Sequence, residues 1–549
     1  MAVNGIYGLS GSGIDVDSMV KVGMLSKQND YDKLYKKEVK NEWVKEAYSN
    51  VYSELQTFTN STMTNYRRSA ATNPMLVAAT NSSVVTATAN ADAAAMSHTV
   101  EVKEMASNAY MLTGDGGITR NATAEKKDSI YLKDLFDTSG WDSNSSLSLT
   151  VSDGKSTETL KLTYEQVVTN EQTLNDLAAS FRNLGLNIKA SYDSTNDAFS
   201  LYNSNGGEKN TISITAKDDK AAALMQSLNL FEVETSYDAD GKVTSTLKSN
   251  EVDNGDGTTS KVSTLNFATD TTVAATGKNA VAIIDGKTYE SETNKISASN
   301  VTYSLLGTGT STMTVSQDTD KLIDNVKKFV EDYNKMIDSL NSKYNETRYS
   351  DYGVLTKSQE NGMTKEQVEK WNEKAKSGLL YHDQTLGKTI SALREAIYTP
   401  VTSVDGRYNS MMSIGIESST DRGHLRLDED KLKKALSEEP NVVYQLFNSS
   451  GEVTDKNGKT TTDYNKEGVV NRIYDKMNSS LKEMKSYAGT SSEASDGSTL
   501  GNLILQLQTK MSNFKTQMDA FEKGLYKKYD AMEQAIQRLS MQMGYISNQ

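Results

Sequence analysis

The fold of this chain is decided by residues 500–546, which read LGNLILQLQTKMSNFKTQMDAFEKGLYKKYDAMEQAIQRLSMQMGYI. Steps of three and four residues from position 504 meet apolar side chains at eleven of thirteen positions. Six heptads of this pattern predict a coiled-coil helix of roughly 70 Å, at about 1.5 Å per residue. The predicted seam and partner-contact residues are Ile504, Leu507, Met511, Phe514, Met518, Phe521, Leu525, Met532, Leu539 and Ile546.

Such a helix needs a partner, and the N-terminal part of the same chain offers one. Residues 26–66 contain no proline or glycine, and apolar side chains recur from Val44 to Phe58 at heptad spacing. Upstream apolar residues follow a different phase, which predicts a bend or a separate helix near Lys40. The predicted N-terminal contact residues are Ile14, Val20, Met24, Tyr31 and Leu34.

The rest of the chain divides into helical and β-type patterns. Apolar residues at helical spacing predict helices over 318–341, 379–398, 428–447 (divided at Pro440) and 468–487. Short alternating runs bounded by turn residues predict antiparallel strands between about 78 and 313, with one helix inserted at 173–184.

This order predicts an α+β fold that is multidomain and elongated, with a terminal coiled coil and a helical bundle into which antiparallel β domains are nested. The predicted parts are coiled-coil legs (1–43 and 505–549), a helical bundle domain (44–77 and 316–504), a first β domain (78–110 and 272–315) and an outer acidic β-rich domain (111–271).

Composition supports this architecture and excludes several function classes. The 549 residues include 3 prolines, which leaves room for long helices. The absence of cysteine excludes disulfides and thiolate chemistry, and three scattered histidines argue against a histidine metal cluster. Residues 111–271 hold 14 basic and 24 acidic side chains, a net of −10 within a total of −13. A nucleic-acid binder would show the opposite, a basic patch.

No motif indicates an enzyme. The glycine cluster Gly8, Gly11 and Gly13 follows no strand, and the turns near Asp240 and Asp253 lack the spacing of a calcium loop. We predict no catalytic residue, metal site or cofactor. The first ten residues lack the basic and apolar regions of a Sec signal, and no stretch has the length and apolarity of a membrane span.

Five segments in the same order resemble the flagellar filament-capping family, also called hook-associated protein 2 or FliD. The first opens with Gly-Leu-Ser-Gly-Ser-Gly at residues 8–13. The matching segments are 8–20, 86–106, 301–334, 414–447 and 525–533. Residues 111–271 match no part of the family, and residues 344–378 resemble a local insertion.

The resemblance implies a homo-oligomeric ring, commonly a pentamer, at the distal tip of the extracellular flagellum. It implies contact with flagellin, the hook-filament junction protein and a cytoplasmic export chaperone, and type III export without a Sec signal. The implied function is insertion and folding of exported flagellin, with no nucleic acid bound and no membrane insertion. The alternatives are another axial flagellar protein (flagellin or a junction protein) and a surface adhesin that binds through 111–271.

Overall fold

The computed structural model describes residues 15–121, 130–237, 242–248, 250–253, 259–262, 264, 266–404, 406–419, 422–490 and 496–547. The chain divides into two compact units. The helical unit comprises Met1–Asn73 and Thr319–Gln549, and the β unit comprises Pro74–Asp318.

Helices make up most of the helical unit, and strands most of the β unit. The helices are α1 Val16–Thr57, α2 Thr64–Tyr66, α3 Ser69–Thr72, α4 Leu174–Arg182, α5 Asp219–Leu228, α6 Thr319–Tyr344, α7 Lys357–Asn361, α8 Lys365–Lys376, α9 Gln384–Tyr398, α10 Glu429–Glu438, α11 Val442–Asn448, α12 Val469–Ala488 and α13 Thr499–Ser547. The strands are β1 Met75–Ala79, β2 Val85–Ala89, β3 Ser97–Glu104, β4 Asn108–Thr113, β5 Ser146–Ser152, β6 Thr157–Thr163, β7 Ile188–Asp193, β8 Ala198–Gly206, β9 Thr211–Ala216, β10 Leu230–Tyr237, β11 Val243–Leu247, β12 Asn250–Asp253, β13 Thr259–Val262, β14 Thr272–Thr276, β15 Ala280–Ile284, β16 Lys287–Ser291, β17 Lys295–Ala298, β18 Val301–Leu305, β19 Gly309–Gln317, β20 Ile416–Ser418, β21 Leu425–Leu427, β22 Ser450–Thr454 and β23 Thr460–Glu467. This composition confirms the predicted α+β class.

Helix α1 is continuous through Lys40, so the prediction of a separate helix at that point is wrong. Asp15 caps the helix by accepting a hydrogen bond from the Ser18 amide at 3.0 Å. The apolar phase changes because the helix changes partner along its length. Its N-terminal half packs on α13, whereas its C-terminal half, which includes Tyr48 and Leu55, enters the core of the helical unit.

The core of the helical unit forms where α1, α6, α9, α11 and α12 meet. The Phe329 ring lies 5.3 Å from the ring of Tyr66 and 4.9 Å from that of Phe447, centroid to centroid. Pro440 separates α10 from α11, as the sequence predicted. The β22–β23 hairpin was not predicted, because most of its side chains are exposed and give no alternating pattern.

Glu467, at the end of this hairpin, carries a pH-dependent contribution to stability. Burial, together with the nearby Asp475 carboxylate, raises the pKa of Glu467 from its ordinary 4.5 to about 7. The folded state therefore favours the protonated form. The stabilisation is complete below about pH 4.5 and is lost as the pH rises through about 7.

The variant Glu467→Gln is expected to remove this pH dependence, because the amide stays neutral. Between pH 5.5 and pH 8.5, wild type should lose about 1 to 2 kcal/mol more unfolding free energy than the variant. Urea unfolding at both pH values measures the difference. Glu452→Gln, at an exposed position of the same hairpin, should follow wild type, and equal pH slopes for wild type and Glu467→Gln would refute the assignment.

The β unit contains two hydrophobic cores. One lies between the five-stranded sheet β1-β19-β3-β15-β16 and the three-stranded sheet β17-β18-β2. The other lies between the sheets β11-β10-β4-β8-β7 and β14-β9-β5-β6, together with α4 and α5. Helix α4 confirms the predicted insertion at 173–184, and α5 was not predicted.

The chain crosses between the two cores of the β unit at two adjacent places. The amide of Ser107 donates to the Lys278 carbonyl at 3.0 Å, and the Lys278 amide donates back at 3.1 Å. The Gly207 amide also donates to the Ser107 carbonyl, at 3.1 Å. Backbone of three segments therefore meets at this crossing, with Gly277 between them. The four-part domain division made from the sequence stays a proposal.

Candidate functional site: the terminal helix pair

Helices α1 and α13 form an antiparallel pair in the helical unit. Gln508, near the start of α13, donates to Glu38 at 2.9 Å, and the Tyr526 hydroxyl donates to Asp17 at 3.1 Å. Residue numbers increase along one helix as they decrease along the other, so the two helices run in opposite directions. Gly23 of α1 is a point of close approach, because a β-carbon there would lie 2.8 Å from Leu525 Cδ1. Glycine lets the two helices pack at this distance.

The structure places the predicted seam residues in three groups. Ile504, Leu507 and Met518 are buried, and Met511, Phe514, Leu525 and Met532 are half-buried. Phe521 is 42% exposed and Leu539 is 59% exposed. The helix of Ile546 is described but its side chain is not. The role of these residues in partner contact stays a prediction.

The buried face of α13 drifts because of its helical period. After Met518 the half-buried positions begin with Glu522 and continue through Leu525 and Tyr526. The two successive steps of four from Phe514 through Met518 to Glu522 approach the 3.6-residue repeat of a straight helix, whereas the predicted stripe kept a 3.5-residue repeat. Phe521 consequently turns toward solvent, where the Lys27 ammonium lies 5.9 Å from its ring centroid.

On α1, the predicted contact residues are distributed as follows. Val20 is buried at 2% exposure, and Met24, Tyr31 and Leu34 are half-buried. Ile14 lies outside the described residues. The sequence analysis missed the polar contacts of Glu38, Gln508 and Tyr526, because hydrogen bonds between distant polar residues leave no periodic signal.

The pair also presents apolar side chains to solvent. On α1 these are Val22 and Leu25, with 68% and 56% exposure. On α13 they are Leu505, Leu539, Met541 and Met543, with 61%, 59%, 62% and 70% exposure. Single exposed apolar residues are ordinary, whereas neighbours such as Leu539 and Met543, one helical turn apart, are typical of a surface that meets another macromolecule. We call these six residues the apolar surface of the helix pair.

Asp496 fixes the start of α13 against α1. Its carboxylate forms an ion pair with Lys45 of α1 and accepts a hydrogen bond from the Ser498 amide at 3.0 Å. Burial acts to raise its pKa, but the hydrogen bonds from Lys45 and Ser498 outweigh burial and lower the pKa of Asp496. Gly501 provides the space, since a β-carbon there would overlap the Asp496 carboxylate.

Two glycines of α13 are expected to respond in opposite directions to alanine. Gly524→Ala adds a methyl group to open space in a helix interior and should stabilise the protein by about 0.5 to 1 kcal/mol. Gly501→Ala should instead destabilise it by about 1 to 2 kcal/mol, because the methyl group displaces Asp496 from Lys45. Thermal unfolding of the two variants measures this. Stabilisation of similar size at both positions would contradict the assigned role of Asp496.

Neither a metal site nor a membrane-spanning helix is found among the residues that the structure describes. Within those ranges, no three histidine or carboxylate side chains group in a way that could hold a metal ion. Nor does any described helix combine the length and apolarity needed to cross a membrane.

Comparison with known proteins identifies the family. The model for the N-terminus of flagellar hook-associated protein 2 matches residues 12–109, and the model for its C-terminus matches residues 277–541. The chain is 27% identical to flagellar hook-associated protein 2 of Halalkalibacterium halodurans, over 97% of each chain. It is 27% identical to the protein of that name from Thermotoga maritima, over 47% of this chain and 38% of the relative.

A solved structure, the D1-D2-D3 domains of the flagellar cap protein FliD from Escherichia coli, aligns with a TM-score of 0.49 and 20% identity. That alignment covers 80% of this chain and 96% of the solved one. The two family models together match more than half of this chain, at both ends and on both sides of the acidic segment. The chain therefore belongs to the flagellar hook-associated protein 2 family.

Proposed function

We propose that this protein caps the flagellar filament, and that it promotes the insertion and folding of exported flagellin at the filament tip. The observation that carries the proposal is the terminal helix pair: α1 lies within the N-terminal family match, and α13 lies within the C-terminal match up to residue 541. Its exposed apolar side chains supply a surface for a protein partner.

The proposed partners follow from this role. Other copies of the chain would form a ring, commonly a pentamer, and flagellin and the hook-filament junction protein would contact the helix pair. A cytoplasmic chaperone would cover the apolar surface of the pair before type III export. The proposed location is the distal tip of the flagellum, and the proposed role is structural rather than catalytic.

A flagellin or a junction protein is the rival within the same apparatus. Electron microscopy of the purified protein distinguishes a cap from a flagellin, because a cap forms small closed rings and a flagellin forms long filaments. Monomers at every concentration would count against the cap.

Removal of residues 1–40 is expected to abolish swimming while the rest of the protein stays folded. The truncation deletes the α1 segment that bonds to Gln508 and Tyr526 of α13, but it keeps Tyr48, Val51 and Leu55 in the bundle core. Complementation of a cap-deficient strain, scored by filament length and swimming radius, measures the effect. Restored swimming by the truncated protein would refute the role of the helix pair.

A pair of point variants controls for unfolding and export. Leu507→Asp buries a charge in the seam, where the leucine is 7% exposed, and should reproduce the swimming defect. Gln506→Asp places the same charge at the neighbouring exposed position and should swim normally. Both proteins should be detected outside the cell, which separates failed capping from failed export.

A further inference from the structure

The segment between α6 and α9 forms a surface platform beside α1, within the helical unit. Short helices α7 and α8 each begin with a capping box, Thr356 with Gln359 and Thr364 with Gln367. The Lys376 ammonium pairs with Glu46 of α1 at 2.9 Å. These contacts hold residues 345–383 as a defined structure rather than as an open loop.

Three cavities surround this platform, with volumes of about 710, 300 and 190 Å³. Ser377 lines all three, so they form a connected groove, which we call the platform groove. The largest cavity alone lies within the range of roughly 300 to 1,000 Å³ that small-molecule sites occupy.

Aromatic rings make up much of the wall of the platform groove. Tyr349, Tyr352 and Trp371 line the largest cavity, and Trp43 and Tyr381 line the smaller ones. The rings of Tyr352 and Trp371 lie 4.7 Å apart, and Tyr349 and Tyr352 meet edge to face at 6.2 Å. Tyr349 is 43% exposed and Tyr381 is 47% exposed, so both rings are accessible from solvent.

Hydrogen bonds fix the groove in position before any ligand arrives. The Trp371 indole N–H donates to the Gly353 carbonyl at 2.7 Å. The Ser377 hydroxyl donates to the Thr347 carbonyl at 2.6 Å, and the Gly378 amide donates to Glu346 at 3.0 Å. A preorganised wall loses little conformational entropy on binding, which favours recognition.

The charges along the largest cavity balance one another. Glu346 and Glu373 provide two carboxylates, and Lys370 and Lys374 provide two ammonium groups. Lys374 already lies over the Tyr352 ring, 4.8 Å from its centroid. A phosphate or other anion would meet the two carboxylates, and a cation would compete with Lys374 for the ring face.

We propose that the platform groove binds a neutral oligosaccharide. The apolar C–H face of a sugar ring packs on an aromatic face such as that of Trp371. Its hydroxyl groups both donate and accept hydrogen bonds, so they suit a wall that offers carboxylates, ammonium groups and the Gln367 amide. The cavity chemistry excludes a wholly apolar ligand, since polar groups stand among the rings.

The test uses the full-length protein and intrinsic fluorescence. The chain has 3 tryptophans, of which Trp43 and Trp371 line the groove, and Trp141 lies in the β unit. In a Trp141→Phe background, fluorescence therefore reports on the groove. The probes are cellotriose, maltotriose, triacetylchitotriose and lacto-N-triose, with triarginine as the cationic competitor.

We expect at least one trisaccharide to bind with a Kd of about 1 mM or tighter. Trp371→Ala should weaken that binding at least about tenfold, and Glu373→Ala, at an exposed position of α8, should weaken it about three- to tenfold. Saturation transfer from aromatic protons to the sugar ring protons should fall in parallel, and circular dichroism should show unchanged folding.

Three results would overturn the proposal. The first is no binding of any of the four sugars below about 10 mM. The second is binding that both variants leave unchanged, which would place the sugar elsewhere. The third is tighter binding of triarginine than of every sugar, which would make the groove a cation site.

Discussion

Arg472→Met is expected to lower the free energy of unfolding by about 3 to 5 kcal/mol. Arg472 lies on α12 and has 0% exposure. Its guanidinium donates to the carbonyls of Tyr464 and Thr399 at 2.7 and 2.5 Å, and to those of Pro400 and Asn465 at 2.9 Å each. The side chain thus ties the end of α9 and the β22–β23 hairpin to α12.

The size of this effect follows from the hydrogen bonds to backbone carbonyls that methionine cannot form. Methionine fills a similar volume, so the loss of packing is small. The Asn465 carbonyl also accepts from the Thr402 amide at 2.7 Å and keeps that donor. The carbonyls of Tyr464, Thr399 and Pro400 would lose the guanidinium in a site closed to water, and each such group costs about 1 to 3 kcal/mol. Burial lowers the pKa of Arg472, yet arginine keeps its charge because its ordinary pKa is far above neutrality.

Urea unfolding of the purified protein measures the change, and two variants set the scale. Lys476→Met removes an ammonium that lies 4.8 Å from the same Tyr464 ring but is partly exposed, and should cost less than about 1 kcal/mol. Arg472→Lys keeps the charge without the fork of donors and should fall between the two. A loss below about 1 kcal/mol for Arg472→Met would show that the carbonyls find other donors.

Periodicity predicted the long elements of this fold and missed those that carry no periodic signal. The regular apolar faces of α6 and α12, and the alternation in β5 and β9, were legible in the sequence. Helix α5 was missed because its alanine-rich segment lies among strands and its neighbours are β-type. The β22–β23 hairpin was missed because most side chains of its strands are exposed, so the sequence shows no alternation of apolar and polar residues.

The helix pair shows where sequence patterns stop being informative. The residues of the apolar stripe on α13 were predicted. The position at which this stripe leaves the interface with α1 and faces solvent was not predicted, because it depends on the helical period and on the partner helix. The phase change in α1 was visible, but the separate helix predicted from it was wrong, because a change of partner and a break between helices give the same pattern. The close approach at Gly23 and the ion pair of Asp496 join residues about 450 to 500 positions apart, which no local pattern reveals.

Gly277→Val is expected to destabilise the β unit strongly, with a loss of about 3 kcal/mol or more. A β-carbon at Gly277 would lie 2.5 Å from the Ser107 carbonyl oxygen and 2.8 Å from that of Gly207. The Ser107 carbonyl accepts the hydrogen bonds from Lys278 and Gly207 that join the two cores of the β unit, and the Gly207 carbonyl accepts from the Asn210 amide at 3.1 Å. Backbone atoms cannot move aside as a flexible side chain does. The valine side chain must therefore push the crossing segments apart and break these hydrogen bonds.

The two cores should then unfold less cooperatively, because the crossing that couples them is weakened while each core keeps its own buried side chains. Calorimetry of the full-length protein should show the β-unit transition broadening or splitting in Gly277→Val. Thr276→Val, an exposed neighbour in β14, adds similar bulk without meeting backbone and should stay within about 0.5 kcal/mol of wild type. If both variants unfold like wild type, the crossing can accommodate a side chain, and Gly277 does not hold the two cores together.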